Sequence, residues 1–279
     1  MTYRCDVGPR TPFAAVAAGL ALFLFGCAGI GGDRAGNQDA LQAEIRTYDL
    51  VLQPAGPGPF PAVIMLHGCG GLGGRDRMWA ERLRAWGYVT LRVNSFAARG
   101  LKNVCGGGVF GSDARVPDAL AALAHLRTRP EVNPKRIALM GWSHGGMATL
   151  ATLGAVPEDP ATGFRAAVAY YPGCRQIHGW RTRTPVLMLL GGADDWTAAG
   201  PCQYLATRQG QAGLDVTQVT YPGAHHGFDN PLLGPNPRRI PEALGGRGAT
   251  TQYNPAGAED SIRRVRVFLA THLEGPAGT

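Results

Sequence analysis

Short apolar runs alternate with longer segments of helical spacing along most of the chain. The apolar runs lie at residues 62–66, 88–93, 136–140, 164–171, 185–190 and 216–221. The segments with helical character lie at residues 77–86, 113–128, 144–153, 198–212 and 257–273. Strands that alternate with helices and short loops predict an α/β fold, in which a mostly parallel central sheet has helices on both faces. A further strand or a hairpin is expected within residues 43–52.

The composition fits one globular domain. A length of 279 residues allows a well-buried core, and 45% hydrophobic against 17% charged residues argues against a disordered chain. The formal net charge is +7, and Lys102 and Lys135 are the only lysines, so nearly all of the basic residues are arginines. Because the arginines are scattered, we interpret them as a solvated surface and expect no nucleic-acid partner.

The strongest chemical signal follows the apolar run at residues 136–140. That run leads directly into the pentapeptide GWSHG at residues 141–145, and a helical segment comes next. A strand that enters G-x-S-x-G and then a helix is typical of the nucleophile elbow of α/β-hydrolases. Small residues flank the serine because the turn is tight, and the hydroxyl projects above the sheet near the N-terminus of the helix. We therefore interpret Ser143 as a nucleophile.

An acid follows Ser143 in the chain order that an α/β-hydrolase requires. Asp194 comes just after the apolar run at residues 185–190, where a side chain would lie at the ligand-binding edge of the sheet. Asp195 is the competing acid, and capping of the next helix is its alternative role. We favour Asp194.

A base follows the acid. His226 lies on the loop after the apolar run at residues 216–221, where one ring nitrogen could face Ser143 and the other Asp194. The neighbouring His225 is expected to have a packing or surface role. We interpret His226 as the general base.

A glycine-rich loop, HGCGGL at residues 67–72, follows the apolar run at residues 62–66. A tetrahedral intermediate needs backbone N–H donors aimed at its oxygen, and glycines allow the backbone to approach a ligand closely. In this fold one donor follows the nucleophile and the other lies on the loop after the first central strand. We therefore expect the N–H groups of Cys69 and His144 to form an oxyanion hole.

Six segments together resemble the dienelactone hydrolase family of α/β-hydrolases, over roughly residues 45–273. They are HGCGGL at 67–72, GYVTLRVNSF at 87–96, GWSHGG at 141–146, AYYPGC at 169–174, GGADDW at 191–196 and YPGAHHGF at 221–228. The resemblance implies a compact hydrolase with little or no lid domain. Matched position by position, it implies the same site residues as above: Ser143, Asp194, His226, Cys69 and His144.

The nucleophile departs from the family pattern. The enzymes that give the family its name resemble thiol hydrolases, with a cysteine at the position where this chain has Ser143. A serine favours hydrolysis of ordinary esters or lactones through an acyl-enzyme, with no cofactor. We therefore expect a carboxylic ester hydrolase that acts on a small-molecule ester or lactone. Acyl transfer, peptide cleavage by the same residues and a non-catalytic envelope binding protein are the alternatives.

The surroundings of the expected site are less specific. The long loop at residues 94–112 is expected to form a wall of the pocket, and residues 230–255 either to line the pocket or to wrap the surface. Five aromatic residues are expected either to shape an apolar acyl pocket or to pack in the core: Phe96, Trp142, Tyr171, Trp196 and Phe228.

Residues 1–27 have the features of a bacterial signal peptide of the lipoprotein type. A weakly basic start precedes an apolar run that is too short for an ordinary membrane span. The run ends in LFGC, which is similar to a lipobox with Cys27 as the lipidated residue. Simple cleavage near Ala28 and an uncleaved anchor are the alternatives.

This leader predicts the organisation and the location of the protein. Residues 28–42 are expected to be a flexible linker, and residues 43–274 the α/β-hydrolase domain. We expect export to the bacterial cell envelope or periplasm, with membrane contact only through the lipid anchor.

Export makes the four cysteines of the expected domain candidates for disulfides: Cys69, Cys105, Cys174 and Cys202. They allow three pairings, and the sequence by itself does not choose among them. In the implied fold, the pairs Cys69–Cys105 and Cys174–Cys202 would each join loops at the carboxyl edge of the sheet, and we favour these. Four free thiols are the alternative. We expect no metal site, because no CxxC or HExxH spacing occurs.

Overall fold

The computed structural model describes residues 51–108, 110–155, 163–175, 177 and 180–274. One sheet contains the strands β1 (Val51–Leu52), β2 (Phe60–Leu66), β3 (Val89–Val93), β4 (Val132–Trp142), β5 (Ala166–Tyr170), β6 (Val186–Gly191) and β7 (Val216–Tyr221). Their spatial order is β1-β3-β2-β4-β5-β6-β7. β1 pairs with β3 in antiparallel fashion, and the other neighbours are parallel. The mostly parallel sheet expected from the sequence is confirmed.

Helices pack on the sheet, and a small hairpin lies apart from it. The longer helices among the described residues are α1 (Gly74–Ala85), α2 (Val116–Arg127), α3 (His144–Ala155), α4 (Ala199–Gln211) and α5 (Pro255–Leu269). Shorter helical turns lie at Ala97–Arg99, Asp113–Arg115, Pro231–Leu233, Ala243–Gly246 and Ala270–Glu274. The hairpin consists of β8 (Arg238–Ile240) and β9 (Ala249–Thr251).

The core has two layers, one on each face of the sheet. Along β2, Ile64 and Leu66 belong to the buried cluster that includes residues of α2, α3 and α4. Val63 and Met65 belong to the cluster on the other face, with residues of α1 and α5. Because successive side chains of a strand point to opposite faces and both faces are covered, the strand is a continuous apolar run rather than an alternating one.

The predicted bounds differ from the observed ones where hydrophobicity gives no signal. β7 has the predicted limits. β4 begins earlier than predicted, at Val132, and the apolar pattern did not indicate this start because residues 134–136 are exposed and are polar or proline. The helix expected at residues 113–128 begins as a separate 3₁₀ turn, Asp113–Arg115, before α2. Of the strand expected within residues 43–52, the described part is β1.

The leader lies outside the part of the chain that the structure describes. That holds for residues 1–27, for Cys27 and for the expected linker at residues 28–42. Within residues 51–274, no described helix is both long and apolar enough to cross a bilayer.

The parallel strands bring distant loops to one edge of the sheet. Cys69 lies just after β2, Ser143 just after β4, Asp194 just after β6 and His226 on the loop after β7. The carboxyl ends of parallel strands share one edge, which is where α/β folds bind their ligands. The topology therefore gathers every catalytic candidate selected from the sequence.

A glycine contact fixes how α3 meets the sheet. A Cβ atom at Gly145 would clash with the backbone carbonyl groups of Leu66 and His67, at the end of β2. A Cβ atom at Gly141 would clash with the backbone of Gly145 itself. The start of α3 therefore lies against the end of β2 more closely than any larger residue would allow.

We expect Gly145→Ala to destabilise the protein by about 1–3 kcal/mol, because the added methyl meets backbone that cannot rotate away. Gly210→Ala is the matched control, since Gly210 lies exposed in α4 with open space where a Cβ would be. That change should be neutral or stabilise by up to about 1 kcal/mol. Urea denaturation followed by circular dichroism measures both, and equal midpoints for the two variants would contradict the proposed close packing.

Candidate active site

Ser143 lies in a strained turn between β4 and α3. Its φ angle is 53°, in the left-handed region that residues with a side chain rarely adopt. The turn is held by backbone hydrogen bonds, with the Ser143 N–H donating to the Tyr170 carbonyl at 2.9 Å and the Met147 N–H donating to the Ser143 carbonyl at 2.8 Å. This is the geometry of a nucleophile elbow, as the pentapeptide predicted.

The structure brings the three selected side chains into one hydrogen-bonded chain. His226 Nε2 lies 2.9 Å from Ser143 Oγ, and His226 Nδ1 lies 2.8 Å from Asp194 Oδ2. All three residues are buried, with 5–7% of their surface exposed. The imidazole faces the hydroxyl with one nitrogen and the carboxylate with the other, which is the arrangement that a serine nucleophile and its general base need.

Asp194 is held as an anion that faces the imidazole. Its Oδ1 atom accepts hydrogen bonds from the backbone N–H groups of Trp196 and Thr197, both at 2.8 Å. Burial alone would raise the pKa of the Asp194 carboxyl, but the facing His226 and these N–H donors hold that pKa below its ordinary value. An ionised carboxylate fixes the tautomer in which Nδ1 carries a proton, so that Nε2 is free to accept the proton of Ser143.

Aromatic rings and a hydroxyl hold the imidazole in place. The ring centroids of Tyr171 and Trp196 lie 4.7 Å and 4.8 Å from that of His226. The Thr197 hydroxyl oxygen lies 3.0 Å from His226 Nδ1 and 3.0 Å from Asp194 Oδ2. The neighbouring His225 takes no part in this chain, and its buried Nδ1 atom has no hydrogen-bond partner among the described residues.

The alternative role considered for Asp195, capping of α4, is wrong. The residue before α4 is Ala198, and no side chain caps that helix. Instead, the Asp195 carboxylate accepts hydrogen bonds from the N–H and the hydroxyl of Thr250, at 2.7 Å and 3.0 Å. Asp195 therefore fastens the β8–β9 hairpin to the loop that carries Asp194.

Two segments carry the residues predicted to form an oxyanion hole, one at His144 and one at Cys69. His144 is the first residue of α3, so its N–H has no carbonyl partner within the helix. Cys69 lies on the loop after β2, and its carbonyl accepts from the Val104 N–H at 2.9 Å. Both residues border the same cavity as Ser143.

Arg115 connects the loop after β2 to the start of α3, and this role was not predicted from the sequence. The side chain is fully buried, and its Nη1 donates to the His67 carbonyl at 2.7 Å and to His144 Nδ1 at 3.2 Å. Its Nε donates to the Ser95 hydroxyl at 3.0 Å. Burial lowers the pKa of Arg115 to about 10, so the guanidinium remains charged at neutral pH. A buried cation thus connects the end of β2, at His67, to the start of α3, at His144.

The side chain of His144 is neutral. Burial, followed by the charge of Arg115, lowers the pKa of His144 to about 4. With Arg115 donating to Nδ1, the remaining proton lies on Nε2, which donates to the Phe110 carbonyl at 3.2 Å. His144 is therefore a structural link between Arg115 and the loop at Phe110, and its backbone is free to face a ligand.

Asp229 is a second buried charge that the sequence did not reveal. It accepts hydrogen bonds from the indole N–H groups of Trp79 and Trp142, both at 2.9 Å, and from the Tyr171 hydroxyl at 2.6 Å. Burial raises the pKa of Asp229, against the opposing effects of Arg75 and these donors. The cluster thereby holds Tyr171, whose ring packs against His226.

The aromatic residues divide between core and site. Trp142, Phe96 and Phe228 are at most 1% exposed and do not border the cavity beside Ser143, so the acyl-pocket role considered for them is wrong. Trp196 borders that cavity, and Tyr171 borders a second, smaller one beside His226.

The larger cavity has a volume of about 870 Å³ and opens beside Ser143. Residues 104–108 form part of its wall, as expected for the long loop, and Leu244 and Gly245 contribute from the segment after His226. The disulfides Cys69–Cys105 and Cys174–Cys202 are both present, with Cα–Cα distances of 4.9 Å and 5.1 Å. The favoured pairing is therefore the one in the structure, and three of these cysteines border the cavity.

The sheet topology and the elbow define an α/β-hydrolase. Residues 47–273 match the dienelactone hydrolase family. The chain therefore belongs to the dienelactone hydrolase family, as its motifs predicted.

Solved structures share this fold at low sequence identity. A Klebsiella pneumoniae protein described as a dienelactone hydrolase is 19% identical, with a TM-score of 0.61 over 79% of this chain and 91% of its own. Esterase PE8 is 17% identical, with a TM-score of 0.58 over 78% and 97%. A dienelactone hydrolase-like promiscuous phosphotriesterase from metagenomic libraries is 20% identical, with a TM-score of 0.59 over 78% and 88%.

Among curated proteins, a relative matches over a limited region of the chain. A Grosmannia clavigera protein named "Probable dipeptidyl-aminopeptidase B" is 35% identical over 101 residues. The match covers 34% of this chain and 9% of that much longer protein.

We expect the free energy of unfolding to fall as the pH is lowered from about 6.5 to about 4. His67 and His144 are buried with pKa values below the ordinary 6.5. In that window the unfolded chain binds protons that the folded chain does not, so protonation favours unfolding. His144→Gln should reduce the steepness of the decline in urea midpoints measured across this range. An unchanged slope would contradict the assignment of a neutral His144.

Proposed function

We propose that this protein is a serine hydrolase that cleaves carboxylic ester or lactone bonds through Ser143, His226 and Asp194. The observation that carries the proposal is the chain of contacts from Ser143 Oγ to His226 Nε2 and from His226 Nδ1 to Asp194, at 2.9 Å and 2.8 Å. Membership in the dienelactone hydrolase family supports hydrolytic chemistry.

The first half of the reaction forms an acyl-enzyme. Ser143 Oγ attacks the carbonyl carbon while His226 Nε2 takes the hydroxyl proton, and the carbonyl oxygen becomes an oxyanion. The N–H groups of Cys69 and His144 stabilise that oxygen, and removal of one such donor typically costs 10²- to 10³-fold in kcat in other enzymes. The intermediate collapses, the bond to the alcohol oxygen breaks, and the departing alcohol takes the proton from His226.

The second half releases the acid. A water molecule gives a proton to His226 Nε2 and attacks the acyl carbon, so that a second oxyanion forms in the same position. Its collapse breaks the bond to Ser143 Oγ, which recovers the proton from His226. Asp194 stabilises the imidazolium in both halves without itself becoming protonated.

Peptide cleavage by the same residues is a second candidate, favoured by the 35% identity to the named aminopeptidase over 101 residues. Both reactions pass through the same acyl-enzyme, and they differ in the group that leaves. Parallel assays with p-nitrophenyl esters and aminoacyl p-nitroanilides separate them, and we expect turnover of the esters.

We also propose that the protein is exported to the bacterial cell envelope and anchored through a lipid on Cys27. Disulfides persist in oxidising compartments, and the bridges Cys69–Cys105 and Cys174–Cys202 support export. Metabolic labelling with a clickable fatty acid, compared between the wild type and Cys27→Ser, tests the anchor.

A fluorophosphonate probe should label the wild-type protein and fail to label Ser143→Ala, because the probe reacts with an activated serine. Thr207→Ala, which removes an exposed hydroxyl on α4, is the control and should retain the label. In-gel fluorescence and mass spectrometry of the labelled peptide provide the readout. Absence of label on the folded wild type would overturn the proposed nucleophile.

Asp194→Asn should lower kcat by about 10³- to 10⁴-fold, because the amide favours the wrong imidazole tautomer. Asp195→Asn is the matched control. It keeps an acceptor for Thr250 and should change kcat by less than about tenfold. Hydrolysis of p-nitrophenyl butyrate measures kcat for both variants. A larger fall in kcat for Asp195→Asn than for Asp194→Asn would contradict the choice of Asp194 as the acid.

A further inference from the structure

We infer that the preferred substrates are esters of a long apolar acid with a small alcohol. The inference rests on the proposed ester hydrolysis and names its substrate class. The observation behind it is a pair of unequal cavities, of about 870 Å³ and 240 Å³, on the two sides of the proposed catalytic pair.

The chemistry decides which cavity takes which half of the ester. The larger cavity is bordered by Ser143 and His144, and the smaller one by His226. Because the departing oxygen takes its proton from His226 Nε2, the alcohol must lie on the side of that imidazole. The acyl group stays bonded to Ser143 and lies on the other side, so the larger cavity is the acyl cavity. Cys69, whose N–H would face the oxyanion between the two halves, borders both.

The acyl cavity is large and mainly apolar. Its apolar lining includes Val104, Met147, Ala151, Ile177 and Leu244. Asp113 and Arg175 also border it, but both are exposed, so their charges are solvated at its mouth. A volume of 870 Å³ is near the upper end for pockets that hold drug-sized ligands. This space suits an unbranched acyl chain of medium to long length.

The alcohol cavity is small. Its 240 Å³ is not far above the roughly 150 Å³ of a cavity that holds one benzene ring. Arg75 and Asp76 border it and form an ion pair at 3.0 Å. Because Asp76 balances the charge of Arg75, the cavity favours a neutral alcohol over an anionic one.

Leucine side chains limit the alcohol cavity on its outer side. A Cβ atom at Gly74 would lie 2.5 Å from Leu232 Cδ1, and one at Gly227 would lie 2.6 Å from Leu233 Cδ1. These contacts show that the 3₁₀ turn Pro231–Leu233 packs on the backbone at the start of α1 and on the loop after β7. The two leucines therefore narrow the cavity on this side.

A pair of isomeric esters tests the assignment without a change in composition or in overall apolar surface. Methyl octanoate and heptyl acetate contain the same atoms, and they place the long chain on opposite sides of the reacting bond. We expect kcat/KM for methyl octanoate to exceed that for heptyl acetate at least tenfold. Burial can raise kcat/KM by up to about fourfold for each added acyl methylene. Equal values, or a preference for heptyl acetate, would overturn the inference.

Variants of the two cavities test it independently. Leu232→Ala, at a residue 65% exposed, should open the alcohol cavity and raise kcat/KM for heptyl acetate at least threefold. Ala151→Leu should shorten the acyl cavity and lower kcat/KM for methyl octanoate at least fivefold. Both changes should reduce the ratio of kcat/KM for methyl octanoate to kcat/KM for heptyl acetate. Val267→Ala changes an exposed residue outside both cavities and should leave this ratio unchanged. A ratio that neither cavity variant alters would contradict the assignment.

Failure of this inference is distinguishable from failure of the proposed function. A protein that reacts with fluorophosphonate at Ser143 and prefers heptyl acetate is a serine hydrolase with the opposite arrangement of cavities. A protein that is labelled at Ser143 and cleaves neither ester also overturns the inference, because the acyl cavity should admit an octanoyl chain. A protein that is not labelled and cleaves neither ester overturns the proposed function, and the inference with it.

Discussion

The close approach of the α3 backbone to the end of β2, at Gly145, is the contact on which the site depends. It allows Ser143 to occupy a left-handed turn directly above the sheet, between β4 and α3. It also brings the N–H of His144 beside the loop that carries Cys69. The start of α3 thereby lies close to both the end of β2 and the end of β4.

Two buried charges support this arrangement from behind. Arg115 connects the His67 carbonyl to the side chain of His144, so that the loop after β2 and the start of α3 share one partner. Asp229 gathers two indoles and the Tyr171 hydroxyl beneath the imidazole. Hydrogen bonds offset the free-energy cost of burying these charges, although Arg115 Nη2 has no hydrogen-bond partner among the described residues.

The sequence predicted the parts of this molecule that local patterns determine. The apolar runs predicted the strands, and the positions of Ser143, Asp194 and His226 after the parallel strands β4, β6 and β7 placed them at one edge of the sheet. The roles of Arg115 and Asp229 were not predicted, because their hydrogen-bond partners lie 20 to 150 residues away and no spacing along the chain indicates such contacts. The contact of the Asp195 carboxylate was not predicted for the same reason, since its partner is Thr250 on the hairpin.

The disulfide Cys69–Cys105 joins two loops that border the larger cavity, and Cys174–Cys202 ties a third bordering loop to the helix α4. The segments that would otherwise sample many shapes are thereby held by covalent bonds from the moment the thiols are oxidised. A ligand entering this chamber meets walls that are already in place, and little conformational entropy remains to be lost on binding. The shape of the larger cavity is therefore fixed when the disulfides form, before a substrate binds.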